Sequence, residues 1–354
     1  MPPESQQLRV LIVRLGAMGD ILHALPAVTS LRAVHPEWFI GWVVEPQWRG
    51  LLAAEGAETR GAGMPVADRV HVVPAKQWGR NPLNAATLQD IRRVRRELRD
   101  SQYDVCVDLQ GAVRSAMLGK WAHPRRLIGE QQPREWAAKY FFDEPVPTKG
   151  VHVIEQALEV ANAVAGEVLP LMQPWLPRSE EAERYCDRHI ADSRMIIVNP
   201  GAGWGAKRWP AERYGAVAKA LNAKGFKVVI NAGPGEESLA QEVNVASDGV
   251  AAVLSPSLDE LIALTRRASL VIAGDTGPLH LASALGIPSV GIFGPTDPAR
   301  NGPFGGDFRV LRHPESRRDH TRHAEPEAGL LTITSEAVLA AANELLKESA
   351  QHGR

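Results

Sequence analysis

The stretch GDTGPLHLASALGIPSVGIFGPTDP, from Gly274 to Pro298, predicts a turn, a helix and a strand in close succession. It follows the apolar run LVIA at residues 270–273, which is typical of a buried strand, and it contains a second such run, SVGIF, at residues 289–293. Pro278 suits the first turn of the helix between them, and Gly286 ends that helix. Such a strand, helix and strand unit is the building block of a parallel α/β sheet.

The start of that helix is also a candidate anion site. Its first N–H groups have no partner within the helix, and the helix dipole favours negative charge there, so a phosphate group fits. The alternative is an ordinary crossover in which Asp275 and Thr276 only cap the helix. The stretch alone leaves both interpretations open.

The rest of the chain repeats this alternation, because apolar runs predict strands and helical periodicity predicts helices. In the first half the predicted strands are residues 8–13, 39–44, 68–73 and 103–109, and the predicted helices are residues 20–35, 88–98 and 151–165. In the second half the predicted strands are residues 195–199, 226–231 and 250–254, and the predicted helices are residues 210–223, 236–245 and 257–267, with Pro210 as the first helical residue.

A proline-rich segment, LPLMQPWLP at residues 169–177, is the predicted linker between two α/β domains. Residues 1–170 are assigned to an N-terminal domain and residues 178–334 to a C-terminal domain. Residues 335–354 are expected to provide a C-terminal helix, N-capped by Ser335, that packs back across the domains.

Composition favours a soluble globular protein of the cytoplasm. The chain has 354 residues, of which 44% are hydrophobic, and its net charge of −1 argues against a nucleic-acid-binding protein. Its two cysteines do not support a disulfide framework or a four-cysteine metal site. The apolar run near the start is too short to span a membrane, so any membrane contact is expected to be peripheral.

Two polar segments each allow a structural and a functional interpretation. The arginines of the helix at residues 88–98 form a solvated face or contact an anionic acceptor or membrane surface. The segment HPESRRDHTRHAEP, residues 313–326, contains three histidines, but their spacing matches no common metal site. That segment is therefore predicted to be a mobile loop.

A second candidate phosphate site is the loop PGAGWGAKRWP at residues 200–210. Its glycines let backbone amides approach an anion closely, and Lys207 adds a mobile charge, although the spacing is not that of a Walker loop. Together with Asp275 in the same domain, the loop predicts a diphosphate held between two strand ends. Glu236, at a helix start, either binds a ribose or simply favours the helix dipole.

Asp20 is the carboxylate that a glycine turn presents in the first half. A helix start stabilises its charged form, so it is a weak base in the ground state. Such a base still serves if the attacked carbon becomes cationic and the proton moves late. An N-cap aspartate is the structural alternative.

Five motifs resemble the ADP-heptose:lipopolysaccharide heptosyltransferase family: VLIVRLGAMGDILHALPAV, WVVE, DLQGAVRSA, AKRWP and the opening stretch. The resemblance implies the glycosyltransferase B fold, with two Rossmann-like domains facing across a cleft that holds the active site. It also implies metal-independent, inverting transfer of heptose from ADP-heptose, without a cofactor and with ADP as product. The implied acceptor is Kdo-lipid A or a related lipopolysaccharide core, at the cytoplasmic face of the inner membrane.

The family's roles carry over onto matching positions. Asp20 is similar to the catalytic base, and Lys207 to the cation on the departing phosphates. Arg14 stands where relatives have a basic residue near the acceptor. The remaining donor-side positions are Gly201, Ala202, Gly203, Glu236, Asp275, Thr276, Gly277 and His280, and the remaining acceptor-side positions are Gly19 and Arg114.

Four alternatives bear on the exact activity. The motifs of the first half are most similar to heptosyltransferase I, whereas the loop PGAGWGAKRWP is more similar to heptosyltransferase II, which adds a later heptose. A non-catalytic nucleotide-sugar binding protein is the rival from another class. A dehydrogenase needs GxGxxG after the first strand, and RLGAMGD at residues 14–20 does not supply it. The iron-containing autotransporter branch fits poorly with two cysteines.

Overall fold

A computed structural model describes residues 7–190, 194–316 and 324–351. The chain divides into two compact units, Met1–Arg178 and Ser179–Arg354. Each unit contains a six-stranded sheet whose paired strands are all parallel. The expected α/β fold with two Rossmann-like domains is therefore confirmed.

The first unit is a doubly wound sheet with the strand order β3-β2-β1-β4-β5-β6. Its strands are β1 Arg9–Val13, β2 Phe39–Val44, β3 Arg69–Val72, β4 Val105–Asp108, β5 Arg126–Glu130 and β6 Glu144–Val146. Its helices are α1 Met18–Val34, α2 Ala75–Arg80, α3 Ala85–Asp100, α4 Val113–Trp121 and α5 Val153–Ala165. Short 3-10 helices occupy Pro46–Leu51 and Trp136–Phe141.

The second unit has the matching order β9-β8-β7-β10-β11-β12. Its strands are β7 Met195–Asn199, β8 Lys227–Asn231, β9 Ala252–Leu254, β10 Ala268–Gly274, β11 Ser289–Phe293 and β12 Phe308–Arg312. Its helices are α6 Glu180–His189, α7 Ala211–Asn222, α8 Glu237–Ala246, α9 Leu258–Arg267, α10 Gly277–Ala284, α11 Pro298–Asn301 and α12 Ser335–Gln351. Short 3-10 helices occupy Gly205–Lys207 and Leu330–Thr332.

The strand order reverses direction beside the first strand of each unit. In the first unit this places the end of β1 next to the end of β4, with Val13 opposite Asp108. In the second unit it places the end of β7 next to the end of β10, with Asn199 opposite Ala273. In open parallel sheets, ligands bind in the crevice outside the strand ends at such a reversal.

Each unit has a core of its own. In the first unit α1 is buried along most of its length and packs against α5. In the second unit Trp209 and Tyr214 are fully buried with their rings in edge contact, 4.7 Å between centroids. The helix α12 packs its apolar face onto α7, β10 and β11. The expectation that the C-terminal helix reaches back across the domains stays a prediction.

Two predicted helix starts differ from the structure. Pro210 is the N-cap of α7, whose first residue is Ala211, because its extended backbone precedes the helix. Ser335 is already the first residue of α12, and Thr334 Oγ1 accepts a hydrogen bond from Ala337 N, as an N-cap side chain does.

Within the described residues, none of the helices is long and apolar enough to cross a bilayer. The predicted loop at residues 313–326 lies partly outside the described residues, since residues 317–323 are not among them.

Candidate active site

Asp275 is the centre of a buried charged cluster at the end of β10. Its Oδ2 atom forms an ion pair with Lys207 Nζ, and its Oδ1 atom lies 3.1 Å from His280 Nε2. His280 reaches it because the turn of α10 brings a residue five positions later back over the strand end. All three side chains are at most 10% exposed.

The cluster keeps Asp275 ionised. Burial opposes the charged form, but the hydrogen bond and charge of His280 and the charge of Lys207 outweigh it, so the pKa of Asp275 lies well below its usual range. The carboxylate in turn fixes the position of the Lys207 ammonium, which also lies 3.3 Å from the Asp275 carbonyl oxygen. The result is a well-held cation at the carboxyl end of the sheet.

Lys207 is presented by the glycine loop that sequence analysis selected. It ends the 3-10 helix Gly205–Lys207, and its Nζ atom lies 4.3 Å from the centroid of the Trp204 ring. The loop follows β7 and the Asp275 turn follows β10, so the strand reversal brings the two candidate phosphate elements together. This juxtaposition is what a diphosphate site requires.

The side chain of Thr276 does not cap α10. Thr276 occupies the N-cap position without a capping bond, and its hydroxyl donates to the Gly274 carbonyl at 3.2 Å. Asn199 Nδ2 approaches the same hydroxyl at 3.4 Å, and Asn231 Nδ2 donates to Asn199 Oδ1 at 2.6 Å. The first N–H groups of α10 therefore donate no hydrogen bond to the Thr276 side chain. The interpretation of Asp275 and Thr276 as mere caps is wrong.

Glu236 packs against the glycine loop. It is the N-cap residue of α8, where its carboxylate accepts a hydrogen bond from Gly233 N at 3.1 Å. A Cβ atom at Gly201 would lie 2.0 Å from Glu236 Oε2, so any larger residue there would require the Glu236 carboxylate to move. Burial raises the pKa of Glu236, although the Gly233 N–H opposes the rise. Ala202 beside it is buried and Gly203 is exposed.

Asp20 lies in the first turn of α1 rather than at its N-cap. The N-cap is Ala17, whose N–H donates to Asp20 Oδ2 at 3.0 Å. Arg14 Nη2 binds the other oxygen, Asp20 Oδ1, also at 3.0 Å. Arg14 is held at the end of β1 by a second bond from its Nη1 atom to the Leu109 carbonyl. The Asp20 side chain is 32% exposed, so it is open to a substrate.

Two further residues build this turn, Asp108 and Gln110, and neither was among the predicted site residues. Asp108 is buried and accepts hydrogen bonds from Gln110 N at 2.8 Å, Gly111 N at 3.0 Å and Ser115 Oγ at 2.8 Å. Gln110 Oε1 accepts a bond from Leu15 N, next to Arg14. Burial raises the pKa of Asp108 to about 6 against these hydrogen bonds.

A simple signal was available for such residues, because a polar side chain that ends a buried strand needs a partner. Asp108 ends β4, Asn199 ends β7 and Asn231 ends β8, and all three are buried.

The remaining predicted acceptor-side residues lie at two helix starts of the first unit. Gly19 is in the first turn of α1, and Arg114 is an exposed residue in the first turn of α4. Arg14 and Asp20 are thus brought together in the first unit, and Lys207, Asp275 and His280 in the second. Among the residues that the structure describes, no group of three or more His, Cys, Asp or Glu side chains is placed to hold a metal ion.

The chain is similar to known proteins over most of its length. Residues 91–330 match the family model "Glycosyltransferase family 9 (heptosyltransferase)". The chain is 27% identical over 303 residues to lipopolysaccharide heptosyltransferase 1 of Pseudomonas aeruginosa, covering 84% of this chain and 82% of that protein. It is 28% identical over 346 residues to lipopolysaccharide heptosyltransferase 1 of Escherichia coli K12, covering 94% and 98%.

Solved structures are similar over nearly the whole chain. The E. coli heptosyltransferase WaaC with ADP superposes with a TM-score of 0.78 at 25% identity, covering 96% of this chain and 100% of that one. The same enzyme with ADP-2-deoxy-2-fluoro heptose gives a TM-score of 0.76 at 26% identity, covering 95% and 99%. The chain therefore belongs to glycosyltransferase family 9, the heptosyltransferases, and has the glycosyltransferase B fold.

Proposed function

We propose that the protein transfers heptose from ADP-heptose to the Kdo of the lipopolysaccharide inner core, with inversion and without a metal ion. The observation that carries the proposal is the Lys207–Asp275–His280 cluster at the strand reversal of the second unit, in a chain that belongs to the heptosyltransferases. The similarity to enzymes named lipopolysaccharide heptosyltransferase 1 supports the choice of acceptor.

The second unit is proposed to bind the donor. The N–H groups at the start of α10 and the ammonium of Lys207 bind the two phosphates of ADP-heptose. Asp275 keeps Lys207 in place, so its charge is already oriented where negative charge develops as ADP leaves. Thr276 and Gly277 shape the turn, and Glu236 lies beside the loop at Gly201, where it suits a ribose hydroxyl.

The first unit is proposed to bind and activate the acceptor. Asp20 takes the proton of the acceptor hydroxyl while that oxygen forms a bond to the anomeric carbon. The bond from this carbon to the phosphate oxygen breaks at the same time, and its electron pair leaves with ADP. Because the acceptor attacks from the face opposite the leaving group, the anomeric configuration inverts.

Arg14 adjusts Asp20 and adds positive charge for an acidic sugar. The ion pair at 3.0 Å holds the Asp20 carboxylate in one orientation. A weak base suffices when the anomeric carbon becomes cationic and the proton moves late. Arg14 and Arg114 also suit the carboxylate of Kdo. Because Kdo-lipid A is a membrane lipid, the enzyme is proposed to act peripherally at the cytoplasmic face of the inner membrane.

One assay tests the function and its alternatives. Purified protein is incubated with ADP-heptose and either Kdo-lipid A or heptosylated Kdo-lipid A, and products are read by mass spectrometry. The proposal expects one heptose added to Kdo-lipid A, no effect of a chelator, and an inverted anomeric linkage by NMR. Product only from the heptosylated acceptor would indicate a heptosyltransferase II activity, which the loop PGAGWGAKRWP resembles. ADP-heptose binding without any product would indicate a binding protein.

A further inference from the structure

Trp136 and Tyr140 form an exposed aromatic pair on the first unit. Their side chains are 69% and 72% exposed on the 3-10 helix Trp136–Phe141. The rings are in edge contact, with centroids 5.7 Å apart. Ala138, between them, is fully buried in the core below, so the two rings point outward from a fixed base.

A cation belongs to the same surface. Lys139 is exposed, and its Nζ atom lies 5.3 Å from the centroid of the Tyr140 ring. The nearby carboxylate of Glu135 is engaged elsewhere, since its Oε2 atom accepts a hydrogen bond from Val113 N at 2.9 Å. We call Trp136, Lys139 and Tyr140 the aromatic patch.

Helix α3 adds a basic face to the same layer of the first unit. Val94 and Leu98 of α3 share one buried core with Ala138, and α4 contacts both α3 and the 3-10 helix. On the outer side α3 exposes Arg92, Arg95, Arg96 and Arg99. None of these four arginines forms an ion pair with a described residue, whereas Arg93 binds Asp90 and Glu97.

This combination of groups suits an anionic lipid surface better than a protein. Tryptophan and tyrosine rings favour the headgroup layer, where the ring is apolar and its polar atom stays hydrated. Arginine and lysine are attracted by anionic headgroups, each contributing about 1 kcal/mol near the surface. Protein interfaces also favour aromatic residues and arginine, but they are depleted in lysine and in charges at their centre, whereas Lys139 lies against the Tyr140 ring here.

We propose that the aromatic patch and the exposed arginines of α3 dock the protein on an anionic lipid bilayer. The rings insert between headgroups and the arginines contact lipid phosphates. This inference rests on the proposed function in one respect: the proposed acceptor is a membrane lipid, which gives the protein a reason to bind a bilayer. It names the surface by which the first unit, with Asp20 and Arg14, approaches that acceptor.

Vesicle co-sedimentation of the full chain tests the surface. We expect binding to phosphatidylcholine vesicles that contain about one-third phosphatidylglycerol, much weaker binding to pure phosphatidylcholine, and loss of binding at high salt. The double variant W136S/Y140S should lower the partition coefficient at least about tenfold, because two aromatic rings no longer leave water. The matched control Val245→Ser, which changes a 67% exposed side chain on α8, should bind as the wild type does.

A second variant tests the charges with the rings intact. R95E/R96E should also lower binding at least about tenfold, whereas Lys347→Glu, an exposed charge reversal on α12, should not. Wild-type binding by W136S/Y140S, or equal binding to neutral and anionic vesicles, would overturn the proposal. So would a wild-type dimer that W136S/Y140S dissociates without any vesicle binding, since the patch would then be a protein interface.

A water-soluble acceptor separates this inference from the proposed function. With deacylated Kdo-lipid A, W136S/Y140S should transfer heptose at the wild-type rate, because no bilayer is involved. Vesicle binding by a wild type that transfers heptose to no acceptor would overturn the proposed function and support the docking surface.

Discussion

The Nε2 atom of His280 lies 3.1 Å from Oδ1 of Asp275, and Lys207 binds the other oxygen of the same carboxylate. One buried aspartate thus joins the start of α10 to the glycine loop after β7. The loop and the helix start are distant in sequence, and this carboxylate fixes one against the other. Donor binding is expected to depend on all three side chains together.

Asp20→Asn should reduce heptose transfer by about 10²–10⁴-fold, because the amide cannot accept the proton. The amide oxygen still accepts the bond from Ala17 N, so the turn and the binding of ADP should persist. Turnover with Kdo-lipid A and ADP affinity by calorimetry measure the two effects. Asp100→Asn, an exposed change at the end of α3, is the control. Near-wild-type turnover by Asp20→Asn would remove Asp20 from the role of base.

Lys207→Met should weaken ADP-heptose binding and reduce turnover by about 10²-fold, since one oriented cation on the phosphates is lost. Lys207→Arg should retain part of the activity, because it keeps a positive charge. Initial rates over a range of donor concentrations separate the two effects. The control Lys219→Met removes an exposed lysine of α7 and should change neither donor binding nor turnover. Unchanged kinetics of Lys207→Met would show that the phosphates bind elsewhere.

Asp275 should make the protein less stable in acid. The pKa of Asp275 is lower in the folded state than in the unfolded state. Its contribution to the free energy of unfolding is therefore fully present above the unfolded-state pKa of about 4, and it is lost as pH falls through the lower folded-state pKa. Asp275→Asn should therefore show a flatter fall of the unfolding free energy below about pH 4. Urea denaturation at several acidic pH values measures this slope. Asp100→Asn, an exposed change at the end of α3, should keep the wild-type slope.

Asp108 should have the opposite pH dependence. The pKa of Asp108 in the folded state is about 6, above its usual value. The stabilisation by its protonated form is therefore fully present below about pH 4 and is lost as pH rises through about 6. Between about pH 4 and pH 6, this loss lowers the free energy of unfolding by about 3 kcal/mol. Asp108→Asn should remove it, and the variant should gain stability relative to the wild type at about pH 8. Urea midpoints at the two ends of the window provide the measurement, and parallel wild-type and variant curves would contradict the prediction.

Gly201→Ala should destabilise the second unit by about 1–3 kcal/mol and weaken donor binding, because the added methyl group displaces the Glu236 carboxylate. Gly61→Ala, in the first unit, is the control, since an added methyl group there would meet no atom of the described residues within 4 Å. Thermal unfolding and ADP affinity measure both effects. Equal behaviour of the two variants would show that Glu236 moves away without cost.

Much of the fold could be predicted because the central strands are continuous apolar runs. FIGWVV and SVGIF become β2 and β11 with the predicted bounds. Three strands, β5, β6 and β12, were not predicted. RLIGE has only a short apolar centre between charged ends, EPV is short and contains proline, and FRVLR is half-buried with two arginines. For such strands, pairing with a neighbour decides the structure rather than local pattern.

The turns that form the candidate site could be predicted from the sequence. The hydrogen bonds and ion pairs that connect their side chains could not. The glycines, Lys207 and Asp275 were visible as residues that follow buried strands. The sequence placed Asp275 on the donor side, but it did not predict that Lys207 and His280 would both bind its carboxylate. Contacts between residues 68 positions apart depend on strand order, which the local sequence does not specify.

The common strand order of the two units has an evolutionary consequence. Each half of the chain carries a complete sheet and its own core, so a mutation in the core of one half leaves the core contacts of the other half in place. Under the proposed division of labour, selection for a new acceptor acts on the first half alone, while the nucleotide-binding half is inherited unchanged. New surface saccharides can then arise through changes in the acceptor-binding half of the chain, without a new nucleotide-binding half.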